Sequence, residues 1–176
     1  DPHLDQQFRL LRQHGMSVPD TVRHAATRVV FEEYPVVGFN YRMTDIQAAI
    51  GRVQLKRLPS ILAQRVALAE QYTRSIREIP GLEAPFVPDF ARPNYQSYAV
   101  RVLSDYPLSR NDLMGALLSE GISTRRGIMN SHQEAAYVNA ACPPLPASEA
   151  ARDNVILLPL FDSMSSADQE HVIDSL

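Results

Sequence analysis

The stretch GFNYRMTDIQAAIG, residues 38–51, decides how this sequence of 176 residues is interpreted. Its first half contains Gly38 and Asn40, residue types that favour turns, and its second half is apolar at helical spacing. Thr44 and Gln47 lie between the halves with the spacing of a capping box, in which each side chain bonds the backbone N–H of the other residue. The stretch therefore predicts a turn that leads into a helix near residue 45.

A long helical region follows this start. Its predicted buried stripe consists of Ile46, Ala49, Ile50, Val53 and Leu58, and the small residues Ala48, Ala49 and Gly51 would permit another helix to approach closely. Pro59 either ends this helix or opens the next one at its first turn. The second helix stops at Pro80-Gly81, and its apolar side is formed by Ile61, Leu62, Val66, Ala69, Tyr72, Ile76 and Ile79. Two successive long helices are thus predicted.

The residues before this stretch predict one helix and an irregular connection. Leu4, Phe8 and Leu11 recur at helical spacing, and Gly15 has the place of a left-handed C-terminal cap. Between residues 16 and 38, prolines interrupt the pattern around the run VVF, residues 29–31, which favours a short strand.

The second half of the chain alternates strands and helices. We expect a strand within residues 95–103, a helix capped by Ser109 and ended by Gly121, and a second strand at residues 122–126. A helix at residues 147–153, a strand at 155–160 and a last helix from about residue 165 follow. This order indicates an α/β or α+β domain, with a small sheet covered on one side by helices.

Composition and charge argue against several classes of function. With 17 basic and 20 acidic residues and no long run of one sign, we expect no nucleic acid and no membrane as partner. The single cysteine, Cys142, rules out an intrachain disulfide, and the scattered histidines lack metal-ligand spacing, so no metal is expected. No targeting signal is visible, and the expected location is the cytoplasm. Because the first residue is Asp1 rather than Met, we expect the chain to begin inside a longer protein.

Residues 38–51, followed by Gln54-Leu55, resemble a signature of the DegT/DnrJ/StrS family of sugar aminotransferases. Further matches follow in the family's order: Arg65 and Tyr72 on a long helix, the turn at residues 121–125, His132 with Tyr137, and Pro146, Glu149 and residues 157–160 near the end. The resemblance covers nearly the whole chain. One of these elements alone would be a weak signal, whereas the ordered series is specific.

The resemblance implies fold, cofactor and reaction together. Members of this family are pyridoxal-phosphate enzymes of the aspartate-aminotransferase fold, or fold type I, and move an amino group, usually from glutamate, to a nucleotide-linked keto-sugar. They work as homodimers with active sites at the subunit interface. The implied cofactor is pyridoxal 5'-phosphate, the substrates are a nucleotide sugar and an amino donor, and the protein partner is a second copy.

The resemblance also implies a division of the chain. Residues 1–37 would be the end of a large domain and a connection, and residues 38–80 the signature with long interdomain helices. Residues 81–176 would form the small C-terminal α/β domain, an α+β arrangement whose mostly antiparallel sheet is covered by helices.

No catalytic residue is expected within this chain. In the family, the lysine that forms the Schiff base precedes the matched region, whereas Lys56, the only lysine here, lies on the helix after the signature. The cofactor is the electron sink of the reaction. Without that lysine and most of the phosphate-binding residues, this chain alone is expected to be inactive.

Three neighbouring residues are the main candidates for binding. By spacing alone, Asn40 would be a turn residue bonding its own backbone and Arg42 a member of a surface ion pair. The resemblance instead implies that Asn40 contacts the cofactor phosphate of the neighbouring subunit, and that Arg42 reaches the donor carboxylate across the dimer interface. We expect Tyr41 to pack at the same interface, with hydrogen bonding through its hydroxyl as the alternative.

The second half contains weaker candidates. His132 alone would be a structural or exposed histidine, but the resemblance places it on the substrate side, where an imidazole can move protons or hydrogen-bond the substrate. Arg125 and Arg126 either attract nucleotide phosphates or form a polar strand end.

Two other functions stay open. The chain would serve as a non-catalytic binding or assembly module if the fold were kept after catalysis was lost. A third interpretation is a sugar dehydratase relative that uses the same cofactor, in which histidine replaces the family lysine. The residues that precede Asp1 in the natural protein would distinguish the three.

Overall fold

The computed structural model describes residues 1–137, 139 and 141–176. Two units separate within it, Asp1–Lys56 and Arg57–Leu176, and their boundary falls inside a helix. The divisions expected at residues 37 and 80 stay predictions.

The first unit contains α1 (Pro2–Leu11), α2 (Asp20–Ala25) and the beginning of α3 (Asp45–Ile76). Asp1 caps α1, since its side chain accepts hydrogen bonds from the N–H groups of His3 and Leu4. The predicted capping box opens α3: Gln47 N donates to Thr44 Oγ1 over 3.3 Å, and Thr44 N donates to Gln47 Oε1 over 2.9 Å. The start of this helix is therefore confirmed.

Two expectations for the first unit are wrong. The run at residues 29–31 forms no strand in the described chain, because no described segment pairs with it, and Val29 and Phe31 are exposed. The predicted stripe on α3 is not buried either: Ile46, Ile50 and Val53 are 75%, 58% and 57% exposed. The short helix α2, which lies where an irregular connection was expected, was also missed.

Helix α3 continues through Pro59, so the prediction of two successive helices is wrong. Proline removes one backbone donor from a helix interior, and this usually breaks or kinks the helix. Here the flanking residues are mostly good helix formers, and Ser60 Oγ donates to the neighbouring carbonyl of Arg57 over 2.7 Å. Burial of Tyr72 and Ile76 further along α3 supplies packing that the proline does not disturb.

The second unit is built on a four-stranded antiparallel sheet in the order β1-β2-β4-β3. The strands are β1 (Leu82–Glu83), β2 (Tyr98–Val102), β3 (Arg125–Arg126) and β4 (Val155–Leu158). The helices are α4 (Arg110–Ser119), α5 (Pro146–Asn154) and α6 (Ser166–Asp174), with 3-10 turns at Ser131–Gln133 and Ala135–Tyr137. The predicted α/β class and antiparallel sheet are confirmed, although β3 is only two residues long.

The core of the second unit lies between the sheet and the helices. Tyr98, Val100 and Val102 of β2 are buried, as their alternation predicts, while Arg101 between them is exposed. They pack in one cluster with Tyr72 and Ile76 of α3, Leu113 and Leu117 of α4, Ile156 and Leu158 of β4, and Val172 of α6. Two buried polar groups in this core donate to backbone carbonyls: Gln169 Nε2 donates to Leu68 O over 2.7 Å, and Tyr72 Oη to Pro159 O over 3.0 Å.

Within the described residues, no helix is long and apolar enough to cross a bilayer. The same residues contain no group of three or more His, Cys, Asp or Glu side chains arranged to hold a metal ion.

Candidate functional site

Backbone hydrogen bonds hold the segment around Asn40 against the end of α1. Phe39 N donates to Leu11 O over 2.6 Å, His14 N donates to Phe39 O over 2.9 Å, and Tyr41 N donates to Arg12 O over 2.8 Å. These bonds form a short antiparallel pairing. The three candidate residues at 40–42 are thus fixed by the turn that ends the first helix.

Two glycines permit this close approach. Gly15 has a φ of +73°, a backbone conformation that residues with a Cβ rarely adopt. A Cβ on Gly15 would lie 2.0 Å from Val36 O, and one on Gly38 would lie 2.0 Å from Gly15 N. Only glycine fits at either place without moving the backbone.

Arg42 determines which way the Asn40 side chain points. Arg42 Nε donates to Asn40 Oδ1 over 3.2 Å, and Arg42 Nη2 lies 3.4 Å from His14 Nε2. Because arginine only donates, the Asn40 oxygen must face it, and the amide nitrogen Nδ2 lies on the other side. Nδ2 makes no hydrogen bond with the described residues, and Asn40 is exposed. Its two N–H groups are the donors that an anion such as a phosphate accepts from.

The rings of Tyr41 and Phe39 stack on each other. Their centroids are 5.2 Å apart and their planes are inclined by 8°. Both rings are exposed, Tyr41 by 73% and Phe39 by 52%. The pair presents an aromatic surface beside Asn40, and packing of Tyr41 at the dimer interface stays a prediction.

In the second unit, His132 forms a pair with Glu149. Its Nε2 lies 3.1 Å from Glu149 Oε1, and the same oxygen accepts from Leu145 N over 3.0 Å. The Leu145 N–H bond and then the His132 bond hold the pKa of Glu149 below its ordinary value. Glu149 therefore carries its negative charge at neutral pH beside the imidazole.

Arg125 and Arg126 form β3, and both are exposed. Arg126 Nη2 lies 3.6 Å from Glu134 Oε1, so this guanidinium already has an acidic partner. Of the two alternatives for these residues, the structure shows the polar strand end, and attraction of nucleotide phosphates stays a prediction. Lys56 is exposed on α3, after the signature as expected.

The whole chain, residues 1–176, matches the profile of the DegT/DnrJ/EryC1/StrS aminotransferase family. The chain belongs to this family. The resemblance of the sequence to this family is thus confirmed over its whole length.

Solved structures agree with the family assignment. The chain is similar to the aminotransferase TlmJ from Streptoalloteichus hindustanus, with 29% identity and a TM-score of 0.84 over 99% of this chain and 44% of that one. It is similar to DesV of S. venezuelae at 27% identity and a TM-score of 0.84, over 99% of this chain and 43% of that one. PseC of Helicobacter pylori, an aminotransferase involved in the biosynthesis of pseudoaminic acid, shares the fold at 22% identity, with a TM-score of 0.86 over 99% of this chain and 45% of that one. The chain therefore spans less than half the length of these family structures.

Two members of the site were not foreseen from the sequence. His14 was included only among the scattered histidines that lack metal-ligand spacing, yet it lies beside Arg42. Glu149 was noted only as part of a closing pattern, yet it is the hydrogen-bond partner of His132. Both contacts join residues that are distant in the chain, and no periodic pattern reports such contacts.

Proposed function

We propose that this chain is the C-terminal part of a pyridoxal-phosphate-dependent aminotransferase that transfers an amino group from glutamate to a nucleotide-linked keto-sugar. The observation that carries the proposal is the family match over all 176 residues, together with the turn that holds Asn40 and Arg42 side by side. Bound pyridoxal phosphate supplies the electron sink for the transfer.

The donor set at residues 40–42 fits the phosphate and carboxylate groups that such a reaction contains. Asn40 offers amide N–H donors that are exposed and make no hydrogen bond with the described residues, which suits the cofactor phosphate. Arg42 offers a planar fork that suits the carboxylate of the amino donor, and it also orients the Asn40 amide. Tyr41 and His132 are assigned to the substrate side, Tyr41 through its ring and His132 through its imidazole.

The partner that we propose is a second copy of the complete protein. Ile46, Ile50 and Val53 follow one another at helical spacing on α3, and the stacked pair Phe39 and Tyr41 lies just before them. Large exposed apolar faces of this kind are typical of surfaces that become buried on association. In the homodimer, Asn40 and Arg42 would serve the active site of the other subunit. We assign the protein to the cytoplasm, as its family chemistry and single cysteine favour.

This chain alone is expected not to retain the cofactor, because the family lysine is not among its residues and Lys56 does not replace it. The two alternatives, an assembly module and a dehydratase relative, differ from the proposal in what the complete protein does to the sugar. An assembly module leaves the sugar unchanged, and a dehydratase yields a sugar that has lost water and carries no amino group.

The test is a reaction of the complete protein with pyridoxal phosphate, glutamate and a nucleotide-linked keto-sugar. We expect 2-oxoglutarate to form in step with an amino sugar, and beyond one equivalent per active site only when the keto-sugar is present. Loss of water from the sugar without formation of an amino sugar would favour the dehydratase. A complete protein that neither retains the cofactor nor changes the sugar would favour the assembly module.

A further inference from the structure

The side chains of His132 and Glu149 meet between two elements of secondary structure, and each element holds one of them. His132 lies in the 3-10 turn Ser131–Gln133, and Glu149 lies in the first turns of α5. The Oε1 atom of Glu149 joins the two elements, because it accepts from Leu145 N at the helix start and lies 3.1 Å from His132 Nε2. The side chains are only 17% and 32% exposed. The ring of His132 therefore has one defined neighbour on the Nε2 side.

The chemistry of the carboxylate decides where the imidazole hydrogen lies. An ionised carboxylate only accepts hydrogen bonds, so a ring nitrogen that bonds it must donate. The bond from Leu145 N favours the ionised form of Glu149 and lowers its pKa. In a neutral imidazole only one nitrogen carries hydrogen, and the other has a lone pair.

We propose that Glu149 holds neutral His132 in the tautomer with hydrogen on Nε2, so that Nδ1 is the nitrogen available to a ligand. Among the described residues, Nδ1 has no hydrogen-bond partner. Glu149 is then a positioning residue, which acts through His132 in the way that carboxylates orient histidines elsewhere.

The tautomer of His132 also limits which groups of the substrate can bond to Nδ1, and this step rests on the proposed function. An Nδ1 lone pair accepts a hydrogen bond or a proton, whereas an N–H at the same place would donate. His132 should therefore face a hydrogen-bond donor on its ligand. In a nucleotide-linked sugar, the sugar hydroxyls are such donors. A ligand carbonyl or phosphate at Nδ1 would not fit a neutral His132.

Nitrogen NMR on this chain tests the tautomer without any cofactor or substrate. At about pH 8.5, where an ordinary imidazole is neutral, we expect a one-bond N–H coupling at His132 Nε2 and none at Nδ1. His171 is an internal reference, because its Nε2 lies 3.0 Å from the carbonyl of Glu120, which also only accepts. His3, exposed near the start of α1, gives the behaviour of a histidine on the surface. Hydrogen on Nδ1 of His132, or a mixture of both forms like that of His3, overturns the proposal.

Variants of Glu149 show whether the carboxylate is the cause. In Glu149→Gln the amide both donates and accepts, so the Nδ1–H form should appear beside the Nε2–H form. In Glu149→Ala, the Nε2 hydrogen should exchange with water about tenfold faster, because its charged acceptor is gone. Ser148→Ala, one residue away, is the matched control and should change neither the tautomer of His132 nor the exchange rate of its Nε2 hydrogen. Unchanged tautomer and exchange in both Glu149 variants overturn the proposal.

Kinetics of the complete enzyme then test the substrate step separately. The side-chain oxygen of His132→Asn takes the place of Nδ1, and that of His132→Gln takes the place of Nε2. We expect the KM for the sugar to rise about tenfold more in the Gln variant than in the Asn variant. An equal KM for the sugar in both variants, alongside the predicted tautomer, overturns the hydroxyl contact alone. Absence of any transamination by the unmodified enzyme overturns the proposed function and leaves the tautomer standing.

Discussion

At Asn40, the side chain of Arg42 determines which amide atoms remain available to a ligand. The amide oxygen accepts from Arg42 Nε, and Arg42 in turn lies beside His14 at the end of the first helix. A turn asparagine that bonded its own backbone, the alternative considered from spacing alone, would have used this oxygen locally. The exposed amide donors are the feature on which the proposed binding role rests.

Replacement of Asn40 by alanine should weaken cofactor binding in the complete enzyme. A phosphate contact of this kind is worth about 1.5–3 kcal/mol, so the affinity for pyridoxal phosphate should fall roughly ten- to a hundredfold. Titration of the apoenzyme with cofactor measures this. Asn94→Ala, which removes an exposed asparagine in the second unit, is the control and should leave the affinity unchanged. Equal affinity in the Asn40 variant and the control would remove Asn40 from the cofactor site.

Replacement of Arg42 by alanine should act mainly on the amino donor. Loss of the fork should raise the KM for glutamate, with a smaller loss of cofactor because Asn40 is no longer oriented. Mixing Arg42→Ala subunits with subunits that lack the cofactor lysine tests action across the interface. If Arg42 serves the other subunit, a mixed dimer regains about one functional site in two. No activity above that of either parent would show that Arg42 acts within its own subunit.

At the scale of the elements, sequence patterns correctly predicted the helix caps and the buried strand face, which depend on interactions within a short segment or within one unit. The caps at Thr44 and Ser109 each mark a helix start, because a side chain and a backbone N–H three residues on suffice for the bond. The alternation in β2 predicted its buried face, since that face packs within the same unit. Patterns failed where the partner is not local. Residues 29–31 have the composition of a strand but pair with no described segment, and Pro59 was given more weight than the packing of α3.

The candidate site was predictable to a similar extent. The family signature led to Asn40, Tyr41, Arg42 and His132. The sequence contained no sign of the pairing between residues 39–41 and the end of α1, because that pairing depends on backbone groups and on two glycines. Every residue except proline carries the same backbone donor and acceptor, so a pattern of residue types does not show which backbone groups pair.

Replacement of Gly38 by alanine should therefore destabilise the first unit. The new Cβ would lie 2.0 Å from Gly15 N and 2.4 Å from His14 C, and relief of this overlap should cost about 1–3 kcal/mol. Gly51→Ala is the matched control, because a Cβ there meets nothing within 4 Å and alanine is the better helix former, which should add roughly 0.5–1 kcal/mol. Urea unfolding of both variants measures the difference. Similar stability in the two would mean that the close approach of the backbones does not limit residue choice.

At the scale of the whole molecule, buried tyrosines give the second unit a dependence on alkaline pH. Tyr72 and Tyr98 are fully buried, and Thr73 Oγ1 lies 2.7 Å from Tyr98 Oη. Burial raises the pKa of Tyr98 from its ordinary value of 10.0 to about 12, and raises that of Tyr72 further still. The unfolded chain therefore loses these protons at lower pH than the folded chain does. The stabilisation is complete below pH 10 and is lost as the pH rises through about 12.

Urea unfolding of the unmodified chain should accordingly give a free energy of unfolding that falls as the pH rises above 10. Tyr98→Phe should be less stable at neutral pH, because the Thr73 bond is lost, and should lose stability less steeply above pH 10. Tyr137→Phe, at a half-exposed ring, should follow the unmodified chain. An equally steep fall in Tyr98→Phe would show that Tyr98 does not cause the alkaline loss.

The exposed face of α3 predicts that this chain associates with itself. Its three large side chains, Ile46, Ile50 and Val53, are each more than half exposed, and a surface of this kind lowers its free energy when a partner excludes water from it. Sedimentation over a range of concentrations should show a mass that rises with concentration. Ile50→Glu places a charge at the centre of the face and should keep the chain monomeric at concentrations where the unmodified chain associates. Phe86→Ser removes another exposed apolar residue, one that lies in the second unit, and should leave association unchanged. If Phe86→Ser abolishes association and Ile50→Glu does not, the contact surface lies in the second unit and the dimer face assigned to α3 is wrong.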